Sequence, residues 1–299
     1  MAVFAKVMKR RTSLTDINFY IILYTVMAFF AFIMLYPFYY CLVQSFNDGY
    51  NSRIGGVYWY PRVFTLQNYQ MTFQNRFIAT AFAVTVARTV VGTIVSVTVQ
   101  AIFAYGLSKP VAFRKFYSIF CLVTMYFSGG LIPFYFLIKS INLLDTFWVY
   151  FVPFLIYQFN VLLFIANYRA IPASIEEAAF IDGANEYRTF FQIIVPLSTP
   201  IIATIALFGG VWHWNDWFTT AIYTRSDSLY TLPAVLRDII NYANNQEQIR
   251  ARMKVEEAKV TIEALRYATL MVSVIPITII YPFLQRYFVK GMMVGAIKA

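Results

Sequence analysis

Four carboxylates stand close together in a chain that has few others: Glu176, Glu177, Asp182 and Glu186, all within the polar segment Ile171 to Pro200. A membrane enzyme would need clustered His, Asp or Glu near one interface. This loop is the only such cluster, and the single histidine, His213, lies elsewhere. Cys41 and Cys121 fall inside apolar runs without a CxxC neighbour, which reads as structural thiols rather than a disulfide or metal site. No GxxxxGK[ST] pattern occurs, so the chain has no loop of its own to cradle nucleotide phosphates. What these acids can do is cap and orient a helix. Ile171-Pro172 halts the preceding helix, and Pro172 suits a new start. Ser174 is the expected N-cap, with Glu177 at the capping-box position. Glu176 and Glu177 then lie in the first turn, where the helix dipole favours acids. Ala178 and Ala179 are small enough for another surface to approach closely. Asp182-Gly183 ends the turn, because glycine takes the left-handed conformation that other residues resist. Phe190, Ile193 and Ile194 restart an apolar face leading to Pro196. The expectation is a short docking helix on the cytoplasmic face.

A second group is Trp212-His213-Trp214-Asn215-Asp216-Trp217. Aromatic faces beside amide and carboxylate groups suit sugars: the rings stack on C–H faces and the polar groups pair with hydroxyls. Asp216 within a span is costly and should face a cavity or a partner. Arg88 lies about eleven residues into an apolar run, roughly 16 Å at the helical rise, so near mid-bilayer. It could face an anionic substrate group, but structural pairing with Asp216 is the preferred reading. Tyr126, Gly129 and Gly130, in a Gly-rich break of another run, are further pathway candidates.

The elements that position these residues follow from composition. Hydrophobic residues make up 60% of the 299 and charged residues 13%, with mean hydropathy +0.61. This is the signature of an all-α polytopic membrane protein. Six transmembrane helices are expected, near Phe19 to Val43, Phe77 to Leu107, Phe116 to Ile138, Phe147 to Tyr168, Leu197 to Tyr223 and Ile262 to Tyr287. Ser128-Gly129-Gly130 and Pro133 interrupt the third, which either unwinds within the span or ends in an interfacial turn. Gln44 to Arg76 forms an outer loop with a short amphipathic piece near Leu66 to Phe73, and Gln246 to Glu263 an exposed helix.

The net charge of +10 does not mark a nucleic-acid binder, because Lys and Arg sit beside spans and form no continuous face. Lys6, Lys9, Arg10 and Arg11 before the first span place both termini in the cytoplasm, with no cleaved signal peptide. The chain then divides into a cytoplasmic N-terminal segment 1–18, a six-span membrane domain 19–289 with the coupling loop at 171–196, and a cytoplasmic tail 290–299. An ion-gradient-driven secondary transporter is the competing class. It usually carries intramembrane acids or histidine in matched half-helices, and these spans offer little beyond Arg88 and Asp216.

Glu177-Ala178-Ala179, Asp182-Gly183-Ala184, Phe190, Ile193 and Pro196 resemble the EAA loop of ABC importer permeases, departing only at Val195, where that family usually has Leu. Ala104 to Ser108, Gly129 to Pro133, Trp214 to Trp217 and Gln285 to Tyr287 are similar to segments of its carbohydrate-uptake branch, the maltose-type oligosaccharide group. The resemblance implies a bacterial cytoplasmic (inner) membrane protein, multi-pass, and a second homologous permease subunit, against which Trp214 to Trp217 would alternatively pack. It also implies two ATP-binding subunits carrying ATP and magnesium, an extracytoplasmic solute-binding protein and surrounding membrane lipid. In that family the helix containing Glu176, Glu177, Ala178, Ala179, Asp182, Gly183 and Ala184 sits in a cleft of the ATP-binding subunit. The tail with Gly291, Gly295 and Lys298 reaches between the ATPase subunits. The implied cargo is an oligosaccharide, and an acidic one such as an alginate fragment fits Arg88 and the basic outer loop.

Overall fold

The structure, a computed structural model, describes residues 14–241 and 262–296. They are nearly all helical and contain no strand, only an isolated bridge between Asn47 and Phe64. Two compact units are present: 14–70 with 262–271, and 71–241 with 272–296.

In the first unit, helix α1 (Leu14–Ser45) exposes aromatic and aliphatic side chains along its length, with Pro37 inside it. Side-chain amides organise the segment that follows. Asn68 donates to the carbonyls of Ser45 and Asn47, at 2.9 and 2.8 Å, and Gln44 donates to Val57 O at 3.0 Å. A short helix, α2 (Gly49–Ile54), is capped by Asp48, and α3 is Gln67–Gln74, where an amphipathic piece was expected.

The second unit is built around α4 (Arg76–Ser108). Asn75 starts it, its side-chain oxygen accepting the N–H groups of Phe77 and Ile78. Helices α5 (Arg114–Tyr126), α6 (Leu131–Ser140), α7 (Gln158–Ala170), α8 (Ala173–Ile181), α9 (Glu186–Leu197), α10 (Thr199–Asn215), α11 (Phe218–Tyr223) and α12 (Leu232–Asn241) follow, and α13 runs from Ile262 to Ala296. α4 packs most extensively against α10 and next against α7. The apolar core between them includes Ala101, Ala104, Val161, Phe164, Ile194 and Ile205.

Among the described residues, three helices are long and apolar enough to cross a membrane: Asp16–Ser45, Arg76–Ser108 and Ala264–Pro282. The total reaches six only if each of three bent pairs is one span. The first bend falls where Ser128-Gly129-Gly130 and Pro133 marked a break, the other two correct an expectation of a plain span, and each has a cause in the sequence. The Phe116 to Ile138 run bends by 116° between α5 and α6, where Gly130 takes φ +83° and Pro133 opens the new helix. The Phe147 to Tyr168 run begins as 3₁₀ turns at Phe147–Tyr150 and Val152–Phe154, around Pro153, and bends by 53° before α7. Gln100 donates to the carbonyl of Leu155 in that break at 2.9 Å, satisfying an acceptor that irregular backbone leaves open. The Leu197 to Tyr223 run stops at Asn215, and α11 is separate. Ahead of it, α9 and α10 meet at 80° around Ser198. Pro196 and Pro200 each lack a donor there. A π-helical turn (Phe190–Ile194) precedes the first, and the Thr199 hydroxyl caps Pro196 O at 2.7 Å.

Candidate functional site

The acidic loop folds into a compact tip, but not with the expected cap. Pro172 occupies the N-cap position at φ −59°, ψ 132°, and Ser174 lies inside the first turn, so the Ser174–Glu177 capping box does not form. The proline ring fixes the extended entry, and its carbonyl already accepts Ile175 N–H at 3.2 Å. The other end is a Schellman motif. Gly183 stands at φ +82°, its N–H bonds to Phe180 O at 3.0 Å, and Ala184 N–H reaches back to Ala179 O at 2.9 Å. Asn185 then caps α9 by accepting Arg188 N–H at 2.9 Å. Ala179, on the inner face of α8, is buried. Ser174, Glu177, Ala178 and Ile181, at helical spacing, form an exposed face, and Ile181 is 86% accessible.

Adjacent acids of α8 meet different surroundings. Glu177 is exposed, whereas Glu176 is half-buried and pairs with Lys109, the residue that ends α4. Lys109 also lies over the Tyr105 ring, 4.6 Å from its centroid, and the Tyr105 hydroxyl donates to Glu186 at 3.1 Å. Burial pulls the Lys109 pKa below the usual lysine value, and the Glu186 charge pushes the other way.

The second group gathers around Arg88, which is fully buried. Its Nη1 donates to Asp216 O at 2.8 Å, its Nη2 pairs with the Asp216 carboxylate, and its guanidinium stacks over Tyr150 at 4.6 Å and Trp212 at 5.6 Å. The Asp216 carboxylate also accepts the N–H groups of Phe218 and Thr219, at 2.9 and 3.2 Å, and so starts α11. Trp212, Asn215, Asp216 and Trp217 line a cleft of about 560 Å³ with Phe208 and Tyr281. Trp214 is buried away from it, donating its indole N–H to Ser273 O at 2.9 Å. Tyr126, Gly129 and Gly130 lie exposed at the α5–α6 bend and line neither this cleft nor the cavity beside it. Gly291 and Gly295 lie inside α13, which continues past the expected span end, and Lys298 lies outside the described residues. So does most of the expected exposed helix at Gln246 to Glu263.

Phe208 and Trp212 also border a second cavity of about 600 Å³, lined by Ser96, Gln100, Asn160 and His213 among others. Asn160 donates to Gln100 at 3.0 Å. The buried His213 ring packs where Gly92 has no side chain: a Cβ at 92 would come within 2.6 Å of it. The sequence reading missed Tyr105, Lys109, Gly92, Gln100 and Asn160. The last two carried a usable signal, because an amide inside an apolar run needs a polar partner.

Long apolar helices, a helical loop with an exposed tip and a cleft beside a buried ion pair fit a membrane transport subunit. No protein-family model matches the chain. It is 33% identical over 94% of its length, and 98% of the relative's, to the polygalacturonan/rhamnogalacturonan transport system permease protein YtcP of Bacillus subtilis. It is 34% identical to Protein LplC of the same organism, over 89% of this chain and 90% of that one. A crystal structure of a bacterial ABC transporter involved in the import of the acidic polysaccharide alginate superposes with TM-score 0.84 at 29% identity, covering 93% of this chain and 99% of that chain. The chain belongs to the permease subunits of carbohydrate ABC transporters and acts as an ABC importer permease.

Proposed function

We propose that this chain is one of two homologous membrane subunits of an importer that takes up acidic oligosaccharides. Six spans are counted by taking each bent pair as one, with both termini and the 171–196 loop on the cytoplasmic side. The observation that carries the reading is the outward face of α8: Glu177, Ala178 and Ile181 exposed on a helix closed by Gly183. Phe180, Ile181 and Tyr187 are all exposed around this tip, and several large apolar side chains left open within eight residues support a surface that a partner covers. That partner is an ATP-binding subunit, one of a pair that binds ATP and magnesium and performs the hydrolysis. A solute-binding protein delivers cargo at the outer loops, and the chain's end with Gly291, Gly295 and Lys298 extends toward the ATPase pair.

The cargo passes along the cleft of Trp212, Asn215, Asp216 and Trp217, where rings and polar groups suit a sugar. Arg88 is spent on Asp216 and shapes this wall rather than reading the cargo. The acidic class rests on the names of YtcP and of the alginate importer. The test is ATP-driven uptake by the reconstituted complex, with a panel of uronic and neutral oligosaccharides loaded on the binding protein. Uronic oligosaccharides are expected to stimulate ATP hydrolysis, and Gly183→Pro to abolish uptake. Stimulation by neutral sugars alone would remove the acidic class. ATP-driven uptake intact in Gly183→Pro would remove the docking role of α8.

A further inference from the structure

The covalent path from α8 toward the cleft is poorly suited to carry a push. Beyond Asn185 it runs through α9, a π-helical turn, two prolines and the 80° bend at Ser198 before reaching α10. A joint with missing hydrogen bonds absorbs displacement. A second path avoids that joint. Within one turn of its end, α4 grips the loop on both sides: Lys109 pairs with Glu176 of α8, and Tyr105 donates to Glu186 at the start of α9. Lys109 and Tyr105 also touch each other, ring to ammonium. From there α4 is a continuous helix. Some four turns back Gly92 holds His213, and one turn further Arg88 holds Asp216, so both contacts seize α10 and its end at the cleft.

We propose that the Lys109–Glu176 and Tyr105–Glu186 contacts form a clamp that transmits displacement of α8 to the cleft through α4, in parallel with and stiffer than the route through α9. Lys109 is a positioning residue here: it touches no cargo and no nucleotide. Glu176 and Glu177 thereby divide the labour of α8, one gripping the chain itself and the other facing the partner. The inference rests on the docking role of α8. Contiguity alone does not establish coupling, so the test must read coupling directly.

That test is hydrogen exchange by mass spectrometry on the complete transporter, with and without a non-hydrolysable ATP analogue, comparing 173–184 with 213–219. In the wild type the nucleotide should change exchange in both segments. In Lys109→Met the change at 173–184 should persist, while that at 213–219 falls at least threefold. The exchanged pair Lys109→Glu with Glu176→Lys should restore it, which a loss of mere packing would not. Tyr105→Phe removes only the hydroxyl contact to Glu186 and should give a smaller loss, keeping the question open to measurement if Lys109→Met does not assemble. An undiminished change at 213–219 in both Lys109→Met and Tyr105→Phe would overturn the clamp. So would a loss that the exchanged pair fails to restore. A wild type with no change at 173–184 would overturn the docking role and the clamp with it, and is distinguishable because no variant is involved.

Discussion

Two ion pairs hold α4, and they are built in opposite ways. Arg88–Asp216 lies deep, its side chains 0% and 10% exposed, with the guanidinium against the rings of Tyr150 and Trp212 and the carboxylate also bonded to two N–H groups. Lys109–Glu176 sits at the helix end, 22% and 18% exposed, with one ring beneath the ammonium. The first pair is over-determined: separating it leaves the fully buried Arg88 guanidinium without its counter-charge. The second borders solvent, so its two side chains can reorient together while the contact holds. A deeply buried pair fixes geometry, whereas a pair at the solvent edge ties two elements together so that one moves with the other. On the clamp proposed above, Arg88–Asp216 anchors α4 at the cleft and Lys109–Glu176 ties its other end to the loop.

Breaking the deep pair has the largest expected effect. Arg88→Leu strands the Asp216 carboxylate and should cost about 3–5 kcal/mol in thermal unfolding of the purified transporter. The neutral pair Arg88→Leu with Asp216→Asn should recover most of that loss, and a single variant as stable as the wild type would erase the contrast. Next comes the neighbouring contact of the same wall. Gly92→Ala drives a methyl group into the His213 ring, at an expected cost of about 1–3 kcal/mol, and adding His213→Ala should relieve it. Lys109→Met should change stability by less than about 1 kcal/mol, because solvent screens a pair exposed to this degree. A larger effect would make the two pairs alike.

The smallest expected effect belongs to an exposed charge. Asp145, at φ +55°, accepts hydrogen bonds from Arg225 N, Ser226 N and Ser226 Oγ at 2.8, 2.9 and 2.6 Å, and these lower its pKa below 3.8, led by the Ser226 hydroxyl. A carboxylate whose folded pKa is depressed stabilises above its unfolded value and loses that contribution as pH falls through the folded one. The difference in melting temperature between wild type and Asp145→Asn should therefore be flat above about pH 5 and close in more acidic buffer. A gap that widens on acidification would reverse the sign.

The same division separates what could be read early from what could not. Hydropathy located the long apolar runs, because burial in lipid demands about 20 consecutive apolar residues whatever the tertiary arrangement. Gly183 was legible as a helix stop because its conformational freedom is a local property, and it adopts φ +82° as expected. Ser174 misled, because a capping pattern is also local but Pro172, two residues earlier, had already set the entry. The breaks at Leu155 and Asp216 were invisible to hydropathy. Their open backbone groups are satisfied by Gln100 and Arg88, residues 55 and 128 positions away.

The sequence by itself therefore determined the membrane-spanning class and the position of the acidic loop between apolar runs. These depend on composition and on spacings within one or two helical turns. Only the tertiary structure decided that Arg88 is consumed by Asp216, that Trp214 turns away from the cleft while Trp212 lines it, and that Glu176 grips Lys109 while Glu177 faces outward. Neighbouring residues on a helix point about 100° apart. Which of them meets a partner depends on the rotation of that helix against its neighbours, set by contacts as remote in sequence as Gly92 and His213.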